Sequence, residues 1–268
     1  MELLKYLFLG LIQGLTEAIP VSSSGHLMIF KHLIDLDVDF DTLAIVTNFG
    51  SLIAIILVFW KDIIELVSNF FKYLFKKDKT CKDDYRYCWL IVLGCIPAGI
   101  AGLIVSKLDL LDKIEDNIKI VGISLIVTAI LLYLIRNIKG KREDKDITWK
   151  NALIIGAFQI LGLLPGISRS GSTIIGGMNQ DLKRDTAFKY SFMLYIPMSI
   201  AAMALEITDI LDKDISTTTW IYYLLSAIIA MIFTYIMTKW FRRVVNHGKL
   251  IYFSIYCFIV GALVIIFL

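Results

Sequence analysis

Six uninterrupted apolar stretches divide the chain, at about 43–60, 88–106, 118–136, 189–206, 219–238 and 250–268. Each is close to the roughly 20 residues that a helix needs to cross a hydrocarbon core about 30 Å thick. The pattern therefore predicts six membrane-spanning helices. Two more stretches, about 3–29 and 150–175, are apolar at both ends and polar in the middle, broken by TEAIPVSSSGH and by PGISRSGST. Backbone groups freed by proline or glycine inside a bilayer must be satisfied by protein or water, so such breaks occur where the chain lines a cavity or packs against other helices. We read each as a re-entrant hairpin of two half-helices, with one kinked spanning helix as the competing arrangement. The expected fold class is an all-α integral membrane protein with six transmembrane helices and two re-entrant hairpins.

Composition agrees with this class. Apolar residues make up 57% of the 268-residue chain and charged residues 19%, with a mean hydropathy of +0.74; a soluble domain averages about 45–50% and about 25%. The N-terminus has no basic leader and its apolar run is interrupted, so a cleavable signal peptide is not expected. Cys81, Cys88, Cys95 and Cys257 follow no metal-binding spacing and are expected to pack. Membrane lipids are the expected surroundings, a homodimer is compatible with the pattern, and no nucleic-acid partner is expected.

Loop charge orients the spans. Lys and Arg crowd 61–87, 137–150 and 239–249, whereas 31–41, 107–116 and 206–214 are mostly acidic. Lys and Arg mark the cytoplasmic side, so the six spans alternate without conflict and the 176–189 loop also falls inside. A gapless shift of 146 residues lays Gly10 on Gly156, Gln13 on Gln159, Ser22 on Ser168, Ser24 on Ser170 and Gly25 on Gly171. Three crossings per half then turn the second half upside down. A single membrane domain is expected, built of two inverted repeats at about 1–140 and 147–268, with a shared site between the broken elements.

Chemistry is concentrated in those breaks. Gln13 and Glu17 are four apart and share a helix face; Ser22, Ser23, Ser24 and His26 follow Pro20. Ionisable groups at bilayer depth are costly and point to function. The second break carries Ser168, Arg169, Ser170, Ser172 and Thr173 after Pro165-Gly166. Arginine offers a planar fork of donors suited to phosphate oxygens, and a hydroxyl-rich turn entering a helix directs N–H groups at an anion. An ion bridge between Arg169 and Glu17 is the structural alternative. Glu17 beside Gln13 suits a hard divalent cation completed by phosphate oxygens, and His26 suits proton transfer. A serine is either a nucleophile or a phosphate ligand, and spacing does not separate the two. His32 and His247 are expected at the surface; Asn48 and Ser51 are candidates to line the cavity. Trp60, Trp89, Trp220, Tyr222 and Tyr223 sit at span ends, as an aromatic belt would.

QGLTEAIPVSSSGH with PGISRSGST resembles the paired signature of the undecaprenyl-pyrophosphate phosphatases of the bacitracin-resistance type, and the resemblance covers essentially the whole chain. It implies a bacterial plasma-membrane enzyme that hydrolyses undecaprenyl diphosphate to the monophosphate carrier and inorganic phosphate, for cell-wall synthesis. It further implies a divalent cation (magnesium or calcium), a site approached from the outer face, and bacitracin resistance. Catalytic roles would fall to Glu17, Ser23, His26 and Arg169. Phosphate binding would involve Arg169, Ser168, Ser170, Thr173 and Ser24, and metal binding Glu17 and Gln13. The first motif position is commonly glutamate; here Gln13 leaves Glu17 as the motif's only carboxylate. The architecture also admits a second function class, a transporter or flippase of lipid phosphates.

Overall fold

A computed structural model describes residues 2–34, 39–108, 117–211 and 213–268, without the side chains of 207–209 and 211. Among the described residues there are eleven α-helices and no strand, only one isolated parallel bridge between Arg142 and Leu182. In chain order they are α1 (Glu2–Glu17), α2 (Ser23–Leu33), α3 (Phe40–Val58), α4 (Trp60–Lys76), α5 (Lys82–Lys107) and α6 (Ile118–Ile135), followed by α7 (Trp149–Leu161), α8 (Arg169–Asn179), α9 (Arg184–Leu211), α10 (Thr217–Asn246) and α11 (Ile251–Phe267). Five of them, α3, α5, α6, α9 and α10, are long and apolar enough to cross a membrane. The sixth expected span is α11, an apolar helix of 17 residues. Its outward side and that of α6 expose Ile123, Ile130, Leu134, Ile255, Phe258 and Ile259, as lipid contact requires.

The two broken segments form short helices. At 1.5 Å per residue, the 11 residues of α2 and of α8 reach about 17 Å, well short of a bilayer core. Pro20 and the Pro165-Gly166 pair end the preceding apolar run in each case, and Ser22 and Ser168 cap the helices that follow. Within each half the short helices pack together, α1 on α2 and α7 on α8. Across the halves α1 packs on α10 and α7 on α5, while α6 and α11 pair with each other. Gly10 and its counterpart Gly156 make two of these approaches possible: a Cβ there would collide with the Ser226 or Gly94 carbonyl oxygen on the facing helix.

Charged loops gather as their composition predicts. Lys189 bridges Asp62 at 2.8 Å and Asp144 at 3.4 Å. Arg242 forks onto Asp185 at 2.8 and 2.9 Å, and Arg184 donates to the Ile138 carbonyl at 2.9 Å. The four Lys- and Arg-rich segments thus meet at one end. At the other, Lys213 donates to Asp39 at 2.6 Å, joining the 31–41 and 206–214 segments; residues 35–38, 109–116 and 212 of the acidic loops lie outside the described residues.

Three expectations need correction. The 61–87 segment, read as a loop, is mostly helical: α4 follows α3 after Phe59 alone. Its apolar residues repeat at helical spacing but are too interleaved with charge to read as a span. The basic 239–249 segment is likewise largely the end of α10. Tyr223 is not a belt residue; it is 1% exposed, with its ring against Tyr6 and Trp220.

Candidate active site

Helix α1 brings Gln13 and Glu17 to one buried face, four residues apart as its periodicity requires. Glu17 Oε2 accepts from Gln13 Nε2 at 2.8 Å and from Ser23 Oγ at 2.5 Å. Its Oε1 accepts from Arg169 Nη2 at 3.0 Å. The carboxylate is therefore the junction of both broken segments. Under the 146-residue shift Ser23 and Arg169 are equivalent: each is the first residue of its short helix, and each donates to Glu17 from opposite halves of the chain.

The capping hydrogen bonds repeat, although the backbone does not: φ is +66° at Ser22 and −72° at Ser168. Ser22 Oγ accepts from Gly25 N at 3.3 Å and lies 3.3 Å from Ser24 Oγ. Ser168 Oγ accepts from Gly171 N at 3.0 Å and lies 3.3 Å from Ser170 Oγ. Both helices direct their N-terminal dipole ends toward the junction, which favours an anion there. Ser22 holds φ at +66°, uncommon for a residue with a Cβ and of the kind found where structure is constrained by function.

A cavity of about 1330 Å³ opens beside this junction. Gln13, Ser23, Ser24 and Asn48 form its polar part, and Leu27, Met28, Phe40, Ile45, Ile118 and Ile210 an apolar lining. Lys31, His32, Asp41 and Lys213 also line it, so it belongs to the end away from the clustered basic loops. Asn48 accepts from Gln13 Nε2 at 2.7 Å. The arrangement offers a polar floor with a serine hydroxyl bonded to a carboxylate, and an apolar flank for a hydrophobic tail.

The expected residues do not all meet there. Arg169 is one-third exposed but does not line this cavity; it stacks on the Tyr195 ring at 4.4 Å and donates to Ser199 Oγ at 3.4 Å. It lines a second cavity of about 10 Å³ with Gln159, Ser170, Thr173, Ser191 and Tyr195, room for about one water. Gln159, the counterpart of Gln13, buries both amide atoms there with no hydrogen-bond partner among the described residues. Thr173 is 2% exposed, and its hydroxyl is held by Ser191 Oγ at 2.5 Å and the Arg169 and Ser170 carbonyls. His26 turns away from Glu17. Its Nδ1 lies 2.8 Å from the Ser22 carbonyl, which it can meet only as N–H donor, leaving Nε2 to accept from Tyr256 Oη at 2.7 Å. His32 and His247 are exposed, and Ser51 is buried against Thr234 at 2.9 Å.

Tyr195, Ser199 and Tyr256 were missed by sequence reasoning. Single hydroxyls inside long apolar helices carry no spacing signal, and these three contact the motifs only through tertiary packing.

For a divalent cation, Glu17 is the carboxylate at the junction of the two turns, and Asp41 and Glu206 also line the cavity. No group of three or more His, Cys, Asp or Glu side chains capable of holding a metal occurs among the described residues. The donor set does not form a closed cage; it fits a cation carried largely by phosphate oxygens, with one carboxylate and neighbouring amide oxygens.

Known proteins resemble the chain along nearly its whole length. The sequence profile of the family described as "Bacitracin resistance protein BacA" matches residues 6–263. The chain is 43% identical over 266 residues to "Undecaprenyl-diphosphatase 3" of Bacillus anthracis, covering 99% of this chain and 98% of that protein. It is 41% identical over 271 residues to "Undecaprenyl-diphosphatase" of Oceanobacillus iheyensis, covering 99% and 97%. With "Undecaprenyl-diphosphatase 1" of Bacillus licheniformis it shares 41% over 265 residues, covering 99% and 98%.

Proposed function

This chain belongs to the bacitracin resistance protein BacA family, and from that membership together with the geometry at Glu17 we propose how it hydrolyses undecaprenyl diphosphate. It is a membrane phosphatase that converts this lipid to undecaprenyl phosphate and inorganic phosphate. The observation that carries the mechanism is the 2.5 Å hydrogen bond from Ser23 Oγ to Glu17 Oε2, at the polar end of the large cavity.

The diphosphate enters that end while the prenyl chain follows the apolar lining. Ser23 Oγ attacks the terminal phosphorus and passes its proton to Glu17. The P–O bond to the bridging oxygen breaks, and undecaprenyl phosphate departs with the proton that Glu17 took up, which returns the carboxylate for the second step. Water then hydrolyses the phosphoserine, releasing inorganic phosphate and restoring the serine. Arg169 lies outside the large cavity and acts through Glu17, which it orients by donating from Nη2 at 3.0 Å. Ser24 and the N-terminus of α2 add donors; Ser168, Ser170 and Thr173 shape the α8 turn. His26, held by Ser22 and Tyr256, supports the α2 turn from behind.

A divalent cation, magnesium or calcium, would be held by the diphosphate oxygens together with Glu17 and the amide oxygens of Gln13 and Asn48. When bound, it would neutralise charge on the diphosphate. The architecture completes this reading as six crossings, α3, α5, α6, α9, α10 and α11, with α1–α2 and α7–α8 as re-entrant hairpins in inverted repeats. The matched packing of α1 on α10 with α7 on α5 supports the repeat. The clustered basic loops support a cavity that faces outward across the bacterial plasma membrane.

The test is phosphate release from a polyprenyl diphosphate by purified protein in detergent. Wild type with added divalent cation should turn over, and chelation should stop it. Ser23→Ala should lose turnover and form no acid-stable phosphoprotein on rapid quenching. Substantial turnover in Ser23→Ala would remove the serine from the nucleophile's place.

A further inference from the structure

Helix α4 has three faces. One packs on α5: Phe70 and Tyr73 meet Tyr85 with ring centroids 5.0 and 4.7 Å apart, Asn69 donates to Asp84 at 2.6 Å, and Leu66 is buried. A second is polar and exposed, with Lys61, Glu65, Lys72 and Lys76. The third is apolar and uncovered. Trp60, Ile64, Val67, Phe71, Leu74 and Phe75 are all exposed, Phe75 to 75%. At 3.6 residues per turn these six fall within an arc of about 100°, the apolar stripe of an amphipathic helix.

Such a stripe does not stay in water without a partner. Its position indicates the occupant. Trp60 is separated from the last residue of α3 by Phe59 alone, so α4 starts where a spanning helix leaves the hydrocarbon. Trp89 on α5, 52% exposed, lies 6.3 Å from Phe70 and continues the aromatic edge. Charge agrees. Lys61, Lys72 and Lys76 border the stripe, and exposed Lys77, Lys79 and Lys82 continue past its end. Asp62 and Asp84 are already engaged by Lys189 and Asn69. Two copies of this face brought together would crowd these lysines, whereas anionic phospholipid headgroups would neutralise them.

We propose that α4 is an interfacial anchor that binds anionic phospholipid, its apolar stripe sunk to the acyl-chain boundary and its lysines among the headgroups. This arrangement is that of helices lying in the membrane plane. It is independent of the catalytic chemistry, since no residue of α4 reaches the cavity.

The experiment places single cysteines at Phe71, Phe75 and Lys72 in a background lacking the four native cysteines. Each is labelled with a polarity-sensitive fluorophore and reconstituted in phosphatidylcholine vesicles with or without phosphatidylglycerol. Probes at 71 and 75 should emit at shorter wavelength, be quenched by shallow nitroxide lipids, and show iodide quenching several-fold weaker than at 72. Phosphatidylglycerol should strengthen that protection, and a Lys61→Gln/Lys72→Gln/Lys76→Gln variant should lose the lipid dependence while keeping its phosphate release in detergent. Equal iodide quenching at 71, 75 and 72 would overturn the anchor. So would efficient Phe75→Cys cross-linking between chains, which would make a second copy the occupant. Because the fluorescence readout does not use turnover, its failure is separable from any failure of the phosphatase mechanism.

Discussion

Ser23 and Arg169 stand at the same place in two related turns and donate to one carboxylate, so the fork of Arg169 has a definite task. Nη2 reaches Glu17, Nη1 reaches Ser199, and the plane rests on Tyr195. Lysine keeps the charge but loses the fork and the stacking. Arg169→Lys should therefore lower kcat by about 10²–10³-fold, the usual effect of removing an aligned donor, with little change in melting temperature. Arg169→Ala should differ in kind. It leaves the Glu17 side chain, 4% exposed, without its counter-charge, at a cost of about 3–5 kcal/mol. Paired measurements of kcat and thermal unfolding check this, and a lysine variant of near-normal kcat would refute the fork. Glu17, Ser23 and Arg169 were legible in the sequence because polar groups stand out in an apolar frame. Asn48 was visible for the same reason, but its bond to Gln13 depends on α3 lying beside α1. The turning away of His26 was not legible, since its direction is set by Tyr256, 230 residues away.

At the scale of elements, the capped ends of short helices decide what reaches the cavity. Asp39 caps α3 by accepting from Thr42 N and Oγ1, and also receives Lys213. Asp39→Ala should destabilise the protein by about 1 kcal/mol, the typical value of an N-cap. Burial pushes the Asp39 carboxyl up, but hydrogen bonds from Lys213 and Thr42 outweigh it and hold the group below its ordinary value. Its contribution is thus complete above the ordinary carboxylate range and is lost as pH falls through the depressed value. The melting difference between wild type and variant should shrink below about pH 4; an undiminished difference in acid would contradict the cap. The positions of α2, α3, α6 and α8 were readable from breaks and apolar runs. Helix α4 was not, because a search for uniform hydropathy passes over a stripe one residue in three or four wide, and its lysines read as a loop.

The whole molecule carries the orientation argument. Its two halves exchange partners, α1 against α10 and α7 against α5, with α6 on α11 between them, and their equivalent turns enter one site. In the proposed inverted repeat the first turn's cavity would face one side only. That side is marked: Lys31, Asp41 and Lys213 line the cavity, whereas Lys141, Lys183 and Arg242 lie with the ion pairs of the other end. In the proposed orientation the crowded basic end is cytoplasmic, and a lipid diphosphate would enter from outside. In intact cells carrying cysteine-free protein, Lys31→Cys should react with a membrane-impermeant maleimide. Lys141→Cys, exposed at the basic end, should react only after permeabilisation. Because the two positions are compared in one fold, the reversed pattern would turn the cavity to the cytoplasm and with it the side on which phosphate is released.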